Sequence, residues 1–342
     1  MRYTLFLLVL FLCPGLQAQQ DIRIGKKYNL KSKALNEERA YWIALPEGYE
    51  KYSRTKYPVV YLLDAENNFN YFTGVYSYLS REPFGMIPQA IIVGITNTDR
   101  TRDLTPTRSG KEVSFAGKNQ LLFQNSGGNA QFLKFLKDEL LPEVDKKYRT
   151  NGYTVLVGHS FGGLTAVNSM LTDPFFSAYV AHDPSLWWDH QIMNKKAEGI
   201  TGDYGKTTFF ITQANNGETQ MAKDGEQGGA IIRFKELLEK NNLKNLRWDY
   251  QFYTHDNHGT VALPGNIDGL RFIFKPYVWD VRSAIKNPGQ IMKHYEEASK
   301  ELQHKFIPTE QFFDKMTEIT KERGTQAVRD SISILKSKYY PQ

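Results

Sequence analysis

The chain has 342 residues, of which 41% are hydrophobic and 23% charged. This excludes a largely disordered chain and leaves room for one large domain or two ordinary ones. The net charge of +6 comes from 43 Lys and Arg against 37 Asp and Glu spread along the chain, so no clustered basic grip for nucleic acid is indicated. A single cysteine excludes a disulfide framework and a cysteine-built zinc site.

Arg2 precedes an unbroken apolar run from Leu5 to Cys13, which Pro14 and Gly15 interrupt before Leu16-Gln17-Ala18. A positive start, a short apolar stretch and a small residue before a polar segment predict a secretory signal over residues 1–18, cleaved after Ala18. The run is too short to span a bilayer, and no later segment is long and apolar enough, so stable membrane insertion is not expected. Cys13 is a poor lipid-anchor site, because such sites want a small residue before the cysteine and Leu12 stands there. The mature chain then has no thiol to use in catalysis, and a periplasmic or secreted location is expected.

From there apolar strands alternate with helical periods. Arg39–Leu45, Val59–Leu63 and Ala90–Thr96 read as strands. Asn129–Lys147 carries Phe132, Phe135, Leu136 and Leu140 at helical spacing. Thr154–Val157 is a short buried strand, and Leu164–Leu171 continues as a helix. Tyr179–Ala181, Thr207–Thr212 and Arg247–Tyr253 supply further strands, with a helix through Ile231, Phe234 and Leu238 between the last two. Continuous apolar strands separated by helices predict an α/β fold with a mainly parallel sheet covered on both faces, the early strands being free to pair antiparallel at one edge. Two stretches lack a regular pattern: 97–128, long enough to be a lid or an insert, and 184–206, which carries Trp187 and Trp188. After Tyr277 the chain turns charged and helical, with Tyr295, Ala298 and Leu302 on one face and Val328, Ile332 and Leu335 on another. The expected organisation is a main domain over 19–278 and a C-terminal helical extension over 279–342, read first as a packing cap and second as a partner-binding module.

The chemistry centres on Ser160. Gly158-His159-Ser160-Phe161-Gly162-Gly163 follows the strand TVLV and opens a helix, the strand–turn–helix context of a G-x-S-x-G nucleophile elbow. A serine on so tight a turn needs glycines two positions away, because strand and helix pass too closely for side chains. The turn also points the Phe161 N–H and the helix N-terminus at a developing oxyanion. The hydroxyl needs a base, and the chain order of this architecture is Ser, acid, His. His258 follows the last strand and precedes the final helix of the main domain, where that base belongs. His255 is its near rival, and His159 reads as a pocket-wall residue. For the acid, Glu218 stands just past the strand TTFFIT. Asp224 and Glu226 lie farther along the loop, Asp183 follows an earlier strand, and a dyad without an acid is the remaining option. The Ala65 N–H, after the strand VVYLL, is the candidate second oxyanion donor, and Asp64 is expected to shape that turn. The His255/His258 spacing has no third ligand and no H-E-x-x-H occurs, so neither a metal nor a cofactor is expected.

VVYLLD, the block Asp99-Arg100-Thr101-Arg102-Asp103-Leu104-Thr105-Pro106, the elbow GHSFGG, Asp183-Pro184-Ser185-Leu186-Trp187-Trp188 and His258-Gly259-Thr260 occur in one order. Together they resemble the putative-esterase branch of the α/β-hydrolases, which includes ferric-siderophore esterases, esterase D-like enzymes and mycolyltransferases. The resemblance covers roughly residues 25–278. It implies the α/β-hydrolase fold, Ser160 as nucleophile, His258 as base, and an arginine block bordering the substrate pocket. Arg100 and Arg102 then become substrate-binding candidates through forked guanidinium contacts to carboxylate, catecholate or phosphate oxygens, the alternative being a surface loop tied to Asp99 and Asp103. Trp187 is a candidate pocket wall. The expected activity is exported serine ester hydrolysis of a small-molecule or oligosaccharide ester, such as a siderophore trilactone or an acylated sugar. The alternatives are an acyltransferase using the same acyl-enzyme, or a non-catalytic binding protein on this scaffold.

Overall fold

A computed structural model describes residues 21–341 except 111, 116–117, 206, 218–225 and 242. The expected signal segment therefore lies outside the described residues. Eight strands form one sheet: β1 (Lys26–Ser32), β2 (Glu37–Ala44), β3 (Tyr57–Leu62), β4 (Ile91–Ile95), β7 (Thr150–His159), β8 (Ala178–His182), β9 (Thr208–Ala214) and β10 (Arg247–Tyr253). Their spatial order is β1-β2-β4-β3-β7-β8-β9-β10, antiparallel across β1, β2 and β4 and parallel from β4 onward. The expected parallel sheet with an antiparallel edge is what forms.

The apolar strands are continuous because both faces are covered. Val59, Tyr61, Leu156 and Tyr179 point into one core and Val60, Leu62, Val155 and Val180 into the other, the two-residue alternation of a pleated strand. The first core is closed by α3 (Asn129–Phe135), α4 (Leu141–Lys147), α5 (Phe161–Thr172), α6 (Trp188–Ala197) and α7 (Glu226–Asn241). A π-helical turn, Leu136–Leu140, joins α3 to α4, where Pro142 offers no N–H to the carbonyl four residues back. The second core is closed by α1 (Ala65–Leu79), α8 (Ala262–Ile273) and the C-terminal helices.

Two sequence readings change here. The stretch 97–128 is not patternless. It holds α2 (Arg100–Leu104) and a two-stranded hairpin, β5 (Glu112–Phe115) with β6 (Lys118–Leu121). The stretch 184–206 likewise contains α6. α2 and the hairpin strands are too short to show a period in the sequence, and α6 is interrupted by positive φ at Asp189, His190 and Gln191.

The C-terminal helices α9 (Gly289–Leu302), α10 (Glu310–Arg323) and α11 (Gln326–Tyr339) follow the predicted amphipathic pattern. Thr309 caps α10 by accepting the Phe312 N–H, and Thr325 caps α11 by accepting the Val328 N–H. Tyr295, Leu302, Phe312, Phe313, Met316 and Ile332 are buried in the same core as Val60 and Val155. These helices therefore close one face of the sheet. Truncating a buried aromatic such as Phe313 would cost about 3–5 kcal/mol by loss of transfer energy and cavity formation.

Candidate active site

The central strand β7 leads into the candidate nucleophile. Ser160 sits between β7 and α5 at φ 59° and ψ −115°, a conformation that non-glycine residues rarely adopt. The tightness of the turn is measurable at Gly158, where a Cβ would lie 2.2 Å from the Gly162 carbonyl oxygen, so any side chain there meets backbone. A Cβ at Gly163 would stand 3.0 Å from Pro184. The Ser160 N–H donates to the His182 carbonyl at 3.0 Å, and the Ser160 carbonyl accepts from Leu164 N–H at 2.9 Å and Ser185 N–H at 3.1 Å. The backbone of the elbow is thus tied to β8 and to the loop after it. The Ser160 Oγ lies 3.2 Å from the buried Ser185 Oγ.

Two helix starts meet at the elbow. Phe161 is the first residue of α5 and Ala65 the first of α1, so neither N–H has a helical acceptor. Asp64 shapes the second turn as expected. It is left-handed (φ 54°, ψ 47°), and its buried carboxylate accepts from Asn97 Nδ2 at 2.7 Å and from Arg100 through Nε at 2.7 Å and Nη2 at 3.0 Å.

His258 comes from the loop between β10 and α8. Its N–H donates to Asn216 Oδ1 at 3.0 Å. Its Nδ1 lies 2.6 Å from Asp183 Oδ2. Asp183, at the end of β8, is fully buried, and Oδ1 accepts the Ala214 N–H at 3.0 Å. A buried carboxylate must be paired, and this one favours the His258 tautomer with its proton on Nδ1 and a lone pair on Nε2. The His258 ring lies 4.5 Å, centroid to centroid, from His159, the residue before Ser160. Burial drives the His159 pKa down to about 4, so this neighbour is neutral at pH 7. Its role as a wall residue fits that packing.

At the acid position the structure shows a carboxylate that was not the first choice from sequence. Asp183 faces the imidazole, whereas Glu218 and Asp224 lie outside the described residues and Glu226 opens α7. His255, the rival base, is exposed. Arg102, the other substrate-binding candidate, is paired within the fold. All three of its donor nitrogens are used, Nε on Asp103 at 2.7 Å and Nη1 and Nη2 on the two Glu37 oxygens at 3.0 and 2.6 Å. Asp103 in turn holds Arg39, which is almost wholly buried. Arg100 does reach the site. Besides its pairing with Asp64, its guanidinium stands 5.2 Å from the Phe161 ring centre. Trp187 packs with Phe123, Phe161 and Trp188 at 5.8–6.5 Å between ring centres. It also lines a cleft of about 890 Å³ with Ser109, His190, Asn194, Lys195 and Glu226 among others. Sequence reasoning gave no role to Phe123 and Ser185, which meet the elbow, or to Asn216, which meets His258 and Asp183, all three only through tertiary folding. Among the described residues there is no cluster of three His, Cys, Asp or Glu able to hold a metal, and no helix is long and apolar enough to cross a membrane.

A parallel sheet with a serine elbow at its centre and a histidine–carboxylate pair beside it defines an α/β-hydrolase. Residues 32–254 match the model of the family described as "Putative esterase", and the chain belongs to that family. It is 33% identical over 263 residues to the ferri-bacillibactin esterase BesA of Bacillus subtilis (strain 168), covering 70% of this chain and 87% of the relative. It is 27% identical over 235 residues to the apo-salmochelin esterase of Escherichia coli O6:H1, covering 63% of this chain and 69% of the relative. Among solved structures, an IroE-like serine hydrolase from Shewanella oneidensis superposes with a TM-score of 0.79 at 34% identity, over 92% of this chain and 99% of that one. The chain is a carboxylic ester hydrolase.

Proposed function

We propose that the protein is an exported serine esterase acting through an acyl-enzyme on Ser160, with His258 as general base and Asp183 as the group that orients it. The observation that carries this reading is the 2.6 Å contact between His258 Nδ1 and the buried Asp183 carboxylate, beside the elbow that presents Ser160. The reaction runs in two balanced halves. His258 Nε2 takes the Ser160 proton as Oγ bonds to the ester carbonyl carbon. The Phe161 and Ala65 N–H groups hold the resulting oxyanion. The imidazolium returns the proton to the departing alkoxide, and the C–O bond to the alcohol breaks. Water then repeats the sequence on the acyl-enzyme and releases the carboxylic acid.

The substrate class supported by the relatives' names is a siderophore ester. The aromatic wall of Trp187, Phe123 and Phe161 beside Arg100 suits flat, electron-rich acyl groups. Hydrolysis of a panel of catecholate trilactones, feruloyl esters and acetylated sugars, followed by mass spectrometry, tests the proposal. The expected result is cleavage of the trilactone by wild type and none by Ser160→Ala. Equal rates in the two proteins, or acyl transfer to an added alcohol in preference to water, would overturn it.

A further inference from the structure

Beneath the candidate triad runs a buried polar chain that takes no part in the chemistry above. His182 is the last residue of β8, between the β7 strand that carries Ser160 and the β9 strand that carries Thr212. His182, Asp183, Thr212 and Asn266 are each no more than 1% exposed. The Asp183 N–H is shared between the Thr212 carbonyl at 3.0 Å and the Thr212 Oγ1 at 3.2 Å. Thr212 Oγ1 lies 3.3 Å from His182 Nδ1, and His182 Nε2 lies 2.8 Å from Asn266 Oδ1. The Asn266 amide then donates to the Tyr71 hydroxyl at 3.1 Å.

The donors have one consistent direction. Because Asn266 Oδ1 can only accept, His182 Nε2 carries the proton and Nδ1 is the acceptor. The Thr212 hydroxyl therefore donates to Nδ1, and its oxygen lone pairs remain for the Asp183 N–H. An imidazolium would have no lone pair for Thr212 and would break the chain. Burial keeps His182 neutral, with a pKa lowered to about 4. The space is reserved for this ring, since a Cβ at Gly265 would lie 2.6 Å from His182 Nδ1.

The chain matters because both residues it holds are strained. Asp183 has φ 37° and Ser160 has φ 59°. Non-glycine residues keep such conformations only where their surroundings over-determine them. The His182 carbonyl accepts the Ser160 N–H, while its ring, through Thr212, steadies the Asp183 amide. Asn266 lies on α8, which follows the His258 loop, and Tyr71 lies on α1, which begins at the Ala65 oxyanion donor.

We infer that His182, Thr212 and Asn266 form a positioning relay, which holds the acid, the nucleophile and the two flanking helices in register without touching substrate. This rests on the triad assignment above. The test compares wild type, Thr212→Val and Thr212→Ser on one aryl ester, reading kcat and KM separately. Thr212→Val keeps the volume and removes the hydroxyl. Its kcat is expected to fall about tenfold to a hundredfold with KM within about twofold, the scale of a small misplacement of reacting groups, and Thr212→Ser is expected to restore most of it. An unchanged kcat in Thr212→Val would overturn the relay. A wild type that hydrolyses no ester would instead overturn the esterase reading, so the two failures are distinct. A second readout needs no variant. Nitrogen-15 NMR of wild type at pH 7 should show His182 neutral with its proton on Nε2, and an imidazolium or an Nδ1-protonated ring would contradict the relay.

Discussion

Asp183 and His258 are 75 residues apart in sequence, and no local motif links them. Ser160 was legible because its requirements are local: an apolar strand before it, a helix after it, and glycines where a Cβ has no room. His258 was legible from its place between the last strand and the next helix. The acid was not, because several loops carry a carboxylate and only the folded chain shows which one is buried against the imidazole. The placement has a consequence for activity. Asp183→Asn keeps the shape but removes the negative charge that stabilises an imidazolium, and an amide N–H facing Nδ1 favours the wrong imidazole tautomer. Its kcat on an aryl ester is expected to fall by about 10³–10⁴, while Glu218→Gln should stay within about threefold of wild type. Steady-state kinetics of the two variants side by side decides between the two acids.

At the level of elements, the arginine block shows how one motif divides its labour. Asp99 caps α2 by accepting the Arg102 N–H at 3.0 Å, so the chain from Arg100 to Leu104 folds as a short helix. That turn sends Arg100 toward the elbow and Arg102 away from it, onto Glu37 and Asp103. The sequence shows two arginines of equal promise, and helical geometry separates them. Ion pairing holds Glu37 below the usual carboxylate range, with the Arg102 hydrogen bond the largest cause. The opposite case occurs where α10 meets the main body. Glu82 accepts a hydrogen bond from Thr309 Oγ1 at 3.1 Å, near Tyr277, Tyr295 and Tyr340, and burial pushes its pKa up to about 7. Between about pH 4.5 and 7 the folded state therefore keeps a proton that the unfolded chain, with its ordinary carboxyl at 4.5, has released. Stability falls as pH rises from 4.5 toward 7, and the loss is complete above that. Glu82→Gln should match wild type near pH 4.5 and exceed it at about pH 8.5 by on the order of 1–3 kcal/mol in denaturant unfolding. Equal stability at both values would show that the carboxyl is not desolvated there.

Across the whole molecule, the parallel sheet was readable from its strands because burial on both faces leaves continuous apolar runs. The first strand and α1 were not, since β1 is an edge strand with only Tyr28 and Leu30 apolar and α1 carries asparagines among its aromatics. The C-terminal helices were readable as helices, but the surface they cover was not, because an amphipathic stripe does not name its partner. In the fold they close the sheet face opposite α5, and their buried side chains join a core of the main domain. What unites the molecule is a frame that brings β7, β8, α1 and the His258 loop together at one point. The most direct test of that account is intact-mass spectrometry of the wild-type protein quenched within milliseconds of mixing with an activated aryl ester, followed by peptide mapping. The expected result is one acyl group per chain, located on Ser160 and absent from Ser160→Ala. Rapid turnover with no adduct on Ser160, or an adduct that persists in Ser160→Ala, would contradict it.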